Sequence, residues 1–154
     1  MAQEADAENQ AVVDEAPALA ENITEHLQAA LSSVTETLGI GMQQWSAGDD
    51  EVILGVLTRY TEFVAHSKGF RPGGNFHAGL LYHTFERAFY DDGTLIQQVE
   101  DYMNREERPE HFEKGLNLGE ATVRTILRNK EESVEAPVRS AFTSNMTEYF
   151  QARA

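Results

Sequence analysis

The sequence predicts an all-α, single-domain protein: an irregular or orthogonal bundle of about six helices over residues 17–154, preceded by an extended acidic arm over residues 1–16. Three observations carry that expectation. Apolar residues recur at three- and four-residue intervals along most of the chain, strand-like alternation is missing, and no hairpin turn joins two alternating runs. At 154 residues the chain can bury one core without staples. It has no cysteine, which excludes a disulfide scaffold, thiolate chemistry and cysteine-ligated metal.

Residues 1–16 are small, acidic and poor in large apolar side chains, as a flexible or partner-binding arm would be, with Val12 and Val13 as its one adhesive point. Pro17 suits a first helical turn, and Asn22-Ile-Thr-Glu25 has capping-box spacing. The helix that follows carries Leu19, Ile23, Leu27, Ala30, Leu31, Val34 and Leu38 in one stripe, and Gly39 and Gly41 end it. Trp45 stands beside the next loop, as a core plug or as an anchor for a partner. Asp49 or Asp50 caps a second helix with Val52, Ile53, Val56, Leu57, Tyr60, Phe63 and Val64 inward. His66, four residues after Glu62, reads as a surface pair.

Lys68, Gly69, Arg71, Pro72, Gly73 and Gly74 form a basic, glycine-rich loop, and Asn75 is the expected cap of the next helix. Backbone N–H groups beside Lys68 and Arg71 suit an anion. The Gly-Lys-Ser/Thr ending of a P-loop is missing, so no nucleotide site is expected. On the helix that starts near Phe76, Ala78, Leu81, Tyr82, Phe85, Ala88 and Phe89 share one side. His77 lies at its flank and His83 about 120° further round the axis. His83, Glu86, Arg87 and Tyr90 make a polar ridge.

The run His77-Ala-Gly-Leu-Leu-Tyr-His83-Thr resembles the histidine-bearing helix of HD-domain phosphohydrolases, where Gly-Leu-Leu-x-His-Thr is common and a histidine binds a divalent metal. The resemblance implies His83 as the matching position. It covers about ten residues, and the His-Asp dipeptide that names that family is absent from this chain. What it implies is at most a metal-free relative.

Asp91-Asp-Gly93 reads as a turn, since calcium-loop spacing puts Ala88, Tyr90 and Val99 where ligands belong. Thr94 to Gln97 has capping-box spacing for a helix with Leu95, Ile96, Val99, Tyr102 and Met103 inward. Residues 104–114 read as a solvated connecting turn with one short helix, broken by Pro109. Asn117 to Glu120 then opens a helix through Val123, Ile126 and Leu127, whose Arg124, Arg128 and Lys130 form the one basic patch. Pro137 starts a last helix with Val138, Ala141, Phe142, Met146, Tyr149 and Phe150. The last two aromatics pack on the core or are offered to another chain.

Charge supplies the functional expectation. The net charge is −14, and residues 1–51 hold 11 of the 26 acids and none of the 12 bases. Such a field disfavours nucleic acid and anionic membrane and favours a basic partner, including the basic patch of a second copy. The expectation is a non-catalytic helical interaction or structural protein that self-associates or docks in a larger assembly, with a phage or viral particle as one setting. Trp45, Lys68, Arg71, His83, Glu86, Tyr90, Tyr149 and Phe150 are its candidate contacts. No catalytic residue, metal or cofactor is expected. Two alternatives remain: a small metal-dependent hydrolase using His83 and Glu86, and an acidic regulator of a basic protein. The segment MAQEADAENQ lacks a basic and an apolar region, so no signal peptide is expected. With no apolar run of membrane-spanning length, the expected place is the cytoplasm or a macromolecular assembly.

Overall fold

The computed structural model describes residues 2–38, 47–71, 73–89, 93–128 and 147. Among the described residues the fold is all-helical, as the apolar spacing predicts: α1 (Ala2–Asp14), α2 (Ala16–Leu38), α3 (Ala47–Ser67), α4 (Asn75–Phe89), α5 (Thr94–Asn104) and α6 (Glu110–Arg128). The expected number matches, but the members differ. Residues 1–16, expected as an extended arm, contribute α1, and the helix expected from Pro137 lies outside the described residues. None of the described helices is long and apolar enough to cross a membrane.

The packing centre is α3. Val52 to Thr58 are buried without interruption, followed by Tyr60 and Thr61. Seven consecutive residues make about two turns, so every side of the helix is covered. Phe63 and Val64, expected inward, are half-buried near its C-terminal end. The threonines are tolerated because Thr58 Oγ1 donates to Leu54 O and Thr61 Oγ1 to Leu57 O, both at 2.7 Å, which satisfies each hydroxyl inside its own helix.

Against one side of α3 lies α6, with backbone nearly touching backbone. A methyl group on Gly55 would sit 2.7 Å from Leu116 N, one on Gly115 2.9 Å from Gly55 Cα, and one on Gly119 2.9 Å from Val56 O. Only glycine permits that approach. Phe112 and Leu116, flanking the contact, are fully buried. This corrects two expectations: α6 begins at Glu110, directly after Pro109, and Asn117–Glu120 lies inside it instead of capping it. Pro109 O accepts from Glu113 N at 2.9 Å, and Glu110 and Glu113 complement the positive helix end.

On another side lies α4, which also contacts α1, α2 and α5. Its buried residues are Phe76, His77, Leu80, Leu81, Thr84 and Phe85. The inward face is therefore rotated from the expected one: Thr84 is inside, with its hydroxyl donating to Leu80 O, and Tyr82 is exposed. Along α2, Ala16, Ala20, Ile23, Thr24 and Leu27 are buried, with Leu19 packed against the core. The side chains of Ala30, Leu31, Val34 and Leu38 lie outside the described residues. α5 starts from Gly93, whose φ of 108° requires glycine, and Gly93 takes the N-cap position in place of Thr94, so the expected Thr94–Gln97 box is not formed.

Gly115→Ala tests the α3–α6 contact. Its new methyl meets the α3 backbone at Val52 and Gly55, and the resulting repulsion exceeds the intrinsic helical gain of about 0.5–1 kcal/mol for removing a glycine. A net loss of roughly 1–3 kcal/mol is expected in urea denaturation. Asn117→Ala, two residues on and on the exposed face of the same helix, is expected to be neutral or stabilising.

Candidate functional site

The glycine-rich loop is built as two linked turns. Gly69 N–H donates to His66 O and Phe70 N–H to Ala65 O, both at 2.9 Å, a Schellman closure of α3 with Gly69 at φ 86°. Phe70 then stacks on Phe76 with ring centroids 4.6 Å apart. Gly73, at φ 79°, turns the chain into α4.

The N-terminus of α4 is capped from another helix. Gly74 O accepts from Ala78 N at 3.0 Å, so Gly74 takes the N-cap position expected of Asn75. Glycine has no side chain to cap with, and the acceptor comes from α1: Phe76 N–H donates to Glu8 Oε1 at 3.0 Å. Asn75 Nδ2 donates to Asn9 Oδ1 at 3.1 Å, and Lys68 pairs with Glu15 at 3.4 Å. Val12 sits over Gly79, where a methyl group would come within 2.6 Å of Cγ1. The anion that the loop suits is thus supplied by the chain itself, on a segment expected as a tail. Arg71 is exposed.

His77 enters the interior behind that loop and is 6% exposed. Gly73 N–H donates to its Nδ1 at 3.0 Å, which assigns the proton to Nε2. Nε2–H then faces Thr61 Oγ1 at 3.1 Å and Thr58 O at 3.3 Å. The ring is neutral and fully partnered. Burial holds its pKa below the usual 6.5, against the opposing pull of the Glu62 charge and the Thr58 carbonyl.

Around His77 opens a cavity of about 360 Å³. Thr58 and Glu62 line it from α3, Ala78 and Leu81 from α4, and Ile96, Val99, Glu100, Met103 and Asn104 from α5. Glu62 holds Arg59 at 3.3 Å on its other side, and Arg59 approaches Glu120 of α6 at 3.9 Å. The seat of α5 is fixed next to the cavity by Tyr102. Its hydroxyl donates to Glu51 Oε1 at 3.0 Å and accepts from Gln98 Nε2 at 2.7 Å, while its ring packs 5.2 Å from that of Phe112. Burial, with the Glu51 carboxylate beside it, raises the Tyr102 pKa above 10.

Of the other expected contacts, His83 and Glu86 are neighbours on the outer side of α4, with Nδ1 and Oε1 4.0 Å apart, too far for a hydrogen bond. His77 points into the core and does not join them. Among the described residues, no group of three or more histidine, aspartate and glutamate side chains gathers to hold a metal ion. Trp45, Tyr90, Tyr149 and Phe150 lie outside the described residues. Sequence reasoning missed the cavity, because its carboxylates come from two helices whose pairing no spacing rule reveals. Compared with protein-family models, with curated proteins and with solved structures, the chain finds no match in any of the three.

Two measurements check this geometry. Because the native pKa of His77 is lowered, its contribution to stability is complete above the unfolded value of 6.5. Below that value the unfolded chain takes up a proton that the native ring resists, so stability falls until the depressed native pKa is passed. Urea midpoints at about pH 7.5 and about pH 5.5 should differ more for the wild type than for His77→Gln. Glu8→Ala removes the cap of α4 and is expected to cost about 0.5–2 kcal/mol, with faster amide exchange at Phe76.

Proposed function

We propose that this chain is a non-catalytic helical interaction protein that docks on a basic partner surface through the acidic face of α1 and α2, as a component of a larger assembly or against a second copy of itself. The observation that carries the reading is the division of labour among the acids of the first third. Glu8 and the exposed Glu15 are tied to α4 and to the loop before it, whereas Asp14, bonded to Gln10 of its own helix, and Glu21 and Glu25 are exposed on two adjoining helices. No lysine or arginine precedes Val52 to neutralise them. Such a face attracts positive charge over about a Debye length and orients the encounter. The exposed Arg124 on α6, although paired to Glu120 at 3.5 Å, gives a second copy a matching positive point.

The test is a reconstituted complex with the partner captured from the native source. Raising salt from about 50 to about 500 mM should weaken the complex steeply. The double substitution Glu21→Lys/Glu25→Lys, at exposed positions that leave the core alone, should weaken it at least about ten-fold. Light scattering separates the self-associating form, which would exceed 17.2 kDa at low salt and return to that mass at high salt. A complex indifferent to salt and to charge reversal overturns the reading, as does a chain that stays monomeric and retains no basic partner.

A further inference from the structure

We propose that the cavity between α3, α4 and α5 is a binding site for a small organic ammonium ion with an apolar body. This site is separate from the acidic face of α1 and α2 and does not depend on what that face binds. Its volume of about 360 Å³ falls at the lower end of the range of small-molecule pockets, roughly 300–1,000 Å³. Leu81, Ile96, Val99 and Met103 provide an apolar lining, and the unbranched Met103 can adapt to the shape of an occupant.

The polar groups select the charge of the ligand. Glu62 stands on the α3 wall and Glu100 on the α5 wall, and among the described residues no lysine or arginine lines the cavity. Arg59, which is not among the lining residues, pairs with Glu62 and is shared with Glu120, so it offsets one carboxylate and leaves the charge of Glu100 at the lining. An anion entering here would meet the charge of Glu100 with no cation among the described lining residues to receive it. An ammonium group would exchange its water for carboxylate and for the side-chain carbonyl of Asn104, all of them acceptors. His77 offers no competing acceptor, since Nδ1 takes the Gly73 N–H and Nε2 faces Thr61 and Thr58. Its part is to close the inner end of the pocket. Two carboxylates and one amide on an otherwise largely apolar lining suit an organic cation, held by charge and by its apolar body together, better than a bare metal ion, which takes roughly six or more oxygens.

Titration of the full-length, isotopically labelled chain with 2-phenylethylammonium, followed by backbone amide spectra, tests the proposal. Saturable shifts are expected in residues 77–81 and 96–104. 3-Phenylpropionate, with a similar body and the opposite charge, should leave those residues unmoved. Glu100→Gln, at an exposed position on α5, should keep the native spectrum and weaken binding about ten-fold, as expected for loss of a charge-assisted hydrogen bond. Ala78→Leu, which fills the cavity from α4, should abolish the shifts while the spectrum stays dispersed. Three outcomes overturn the proposal: no saturable shift up to about 10 mM, a range that covers weak small-ligand affinities; equal response to the two ions; or shifts spread over Asp14, Glu21 and Glu25, which would mark general counter-ion binding.

Discussion

The backbone contact between α3 and α6 is the constraint from which the rest of the arrangement follows. Gly55, Gly115 and Gly119 let the two helices approach until a single added methyl would strike main-chain atoms. Residues flanking that contact, Val52, Val56, Phe112 and Leu116, are then sealed from water. With one side of α3 closed this tightly, α4 can pack on another, and the core of the domain is continuous from α6 to α2. Burial on every side also explains why α3 accepts threonine at Thr58 and Thr61. A hydroxyl that bonds back into its own helix costs less than one that must find a partner across an interface. Those same threonine residues then supply Nε2 of His77 with its partners. A packing contact and a polar site are therefore linked through the one helix they share.

The acidic first third performs two kinds of work, and the difference lies in what each carboxylate faces. Glu8 meets a helix N-terminus whose own N-cap residue, Gly74, has no side chain, so a charge that elsewhere would be solvated completes a hydrogen bond at the positive end of α4. Val12 reinforces the docking by lying over Gly79. Among the described residues Asp14 accepts only from Gln10 of its own helix at 2.7 Å, and Glu21 and Glu25 are exposed along α2. An acidic composition alone carries no such distinction. It emerges when α1 adopts a helical period and places Glu8, Ala11 and Val12 on one side, at spacings of three and four.

That period was not legible in the letters, because the paucity of large apolar residues in 1–16 masks it, and the segment reads as a flexible arm. Val12 comes close to α4 only because Gly79 has no side chain there. The helix of Val52–Tyr60, the turn at Gly93 and the break at Pro109 were readable from apolar spacing and from the backbone demands of glycine and proline. Phe112 and Leu116 were hidden in a densely charged stretch. The exposed charges of α6 outnumber its apolar residues there, and the glycines that share the buried face add nothing to a hydrophobic count. Asn117 to Glu120 matches a cap in spacing, yet a cap needs a chain that is not already helical, and Glu110 onward already is. The rotated face of α4 has a similar cause. Thr84 counts as polar by type but hides its hydroxyl in the helix, while Tyr82 counts as apolar and remains outside.

The cavity follows from how α5 is held. Its inward residues approach α4, and its firmest tie to the rest of the body is Tyr102, joined to Glu51 at the start of α3 and stacked near Phe112 of α6. Val99 and Met103 lie three residues before and one after that tie, so the wall they form is positioned by a hydrogen bond and an aromatic contact at its edge more than by interlocking across the gap. A wall supported at its edge leaves space behind it. Whatever occupies that space gains contacts only while Tyr102 is seated, so occupancy and the seating of α5 must favour each other by mass action. The hydroxyl of Tyr102 resists ionisation because an anion there would lose solvation and face Glu51. The tie therefore stays a neutral donor across the ordinary pH range. The α5 wall that carries Glu100 keeps its place while the charges beside it exchange partners.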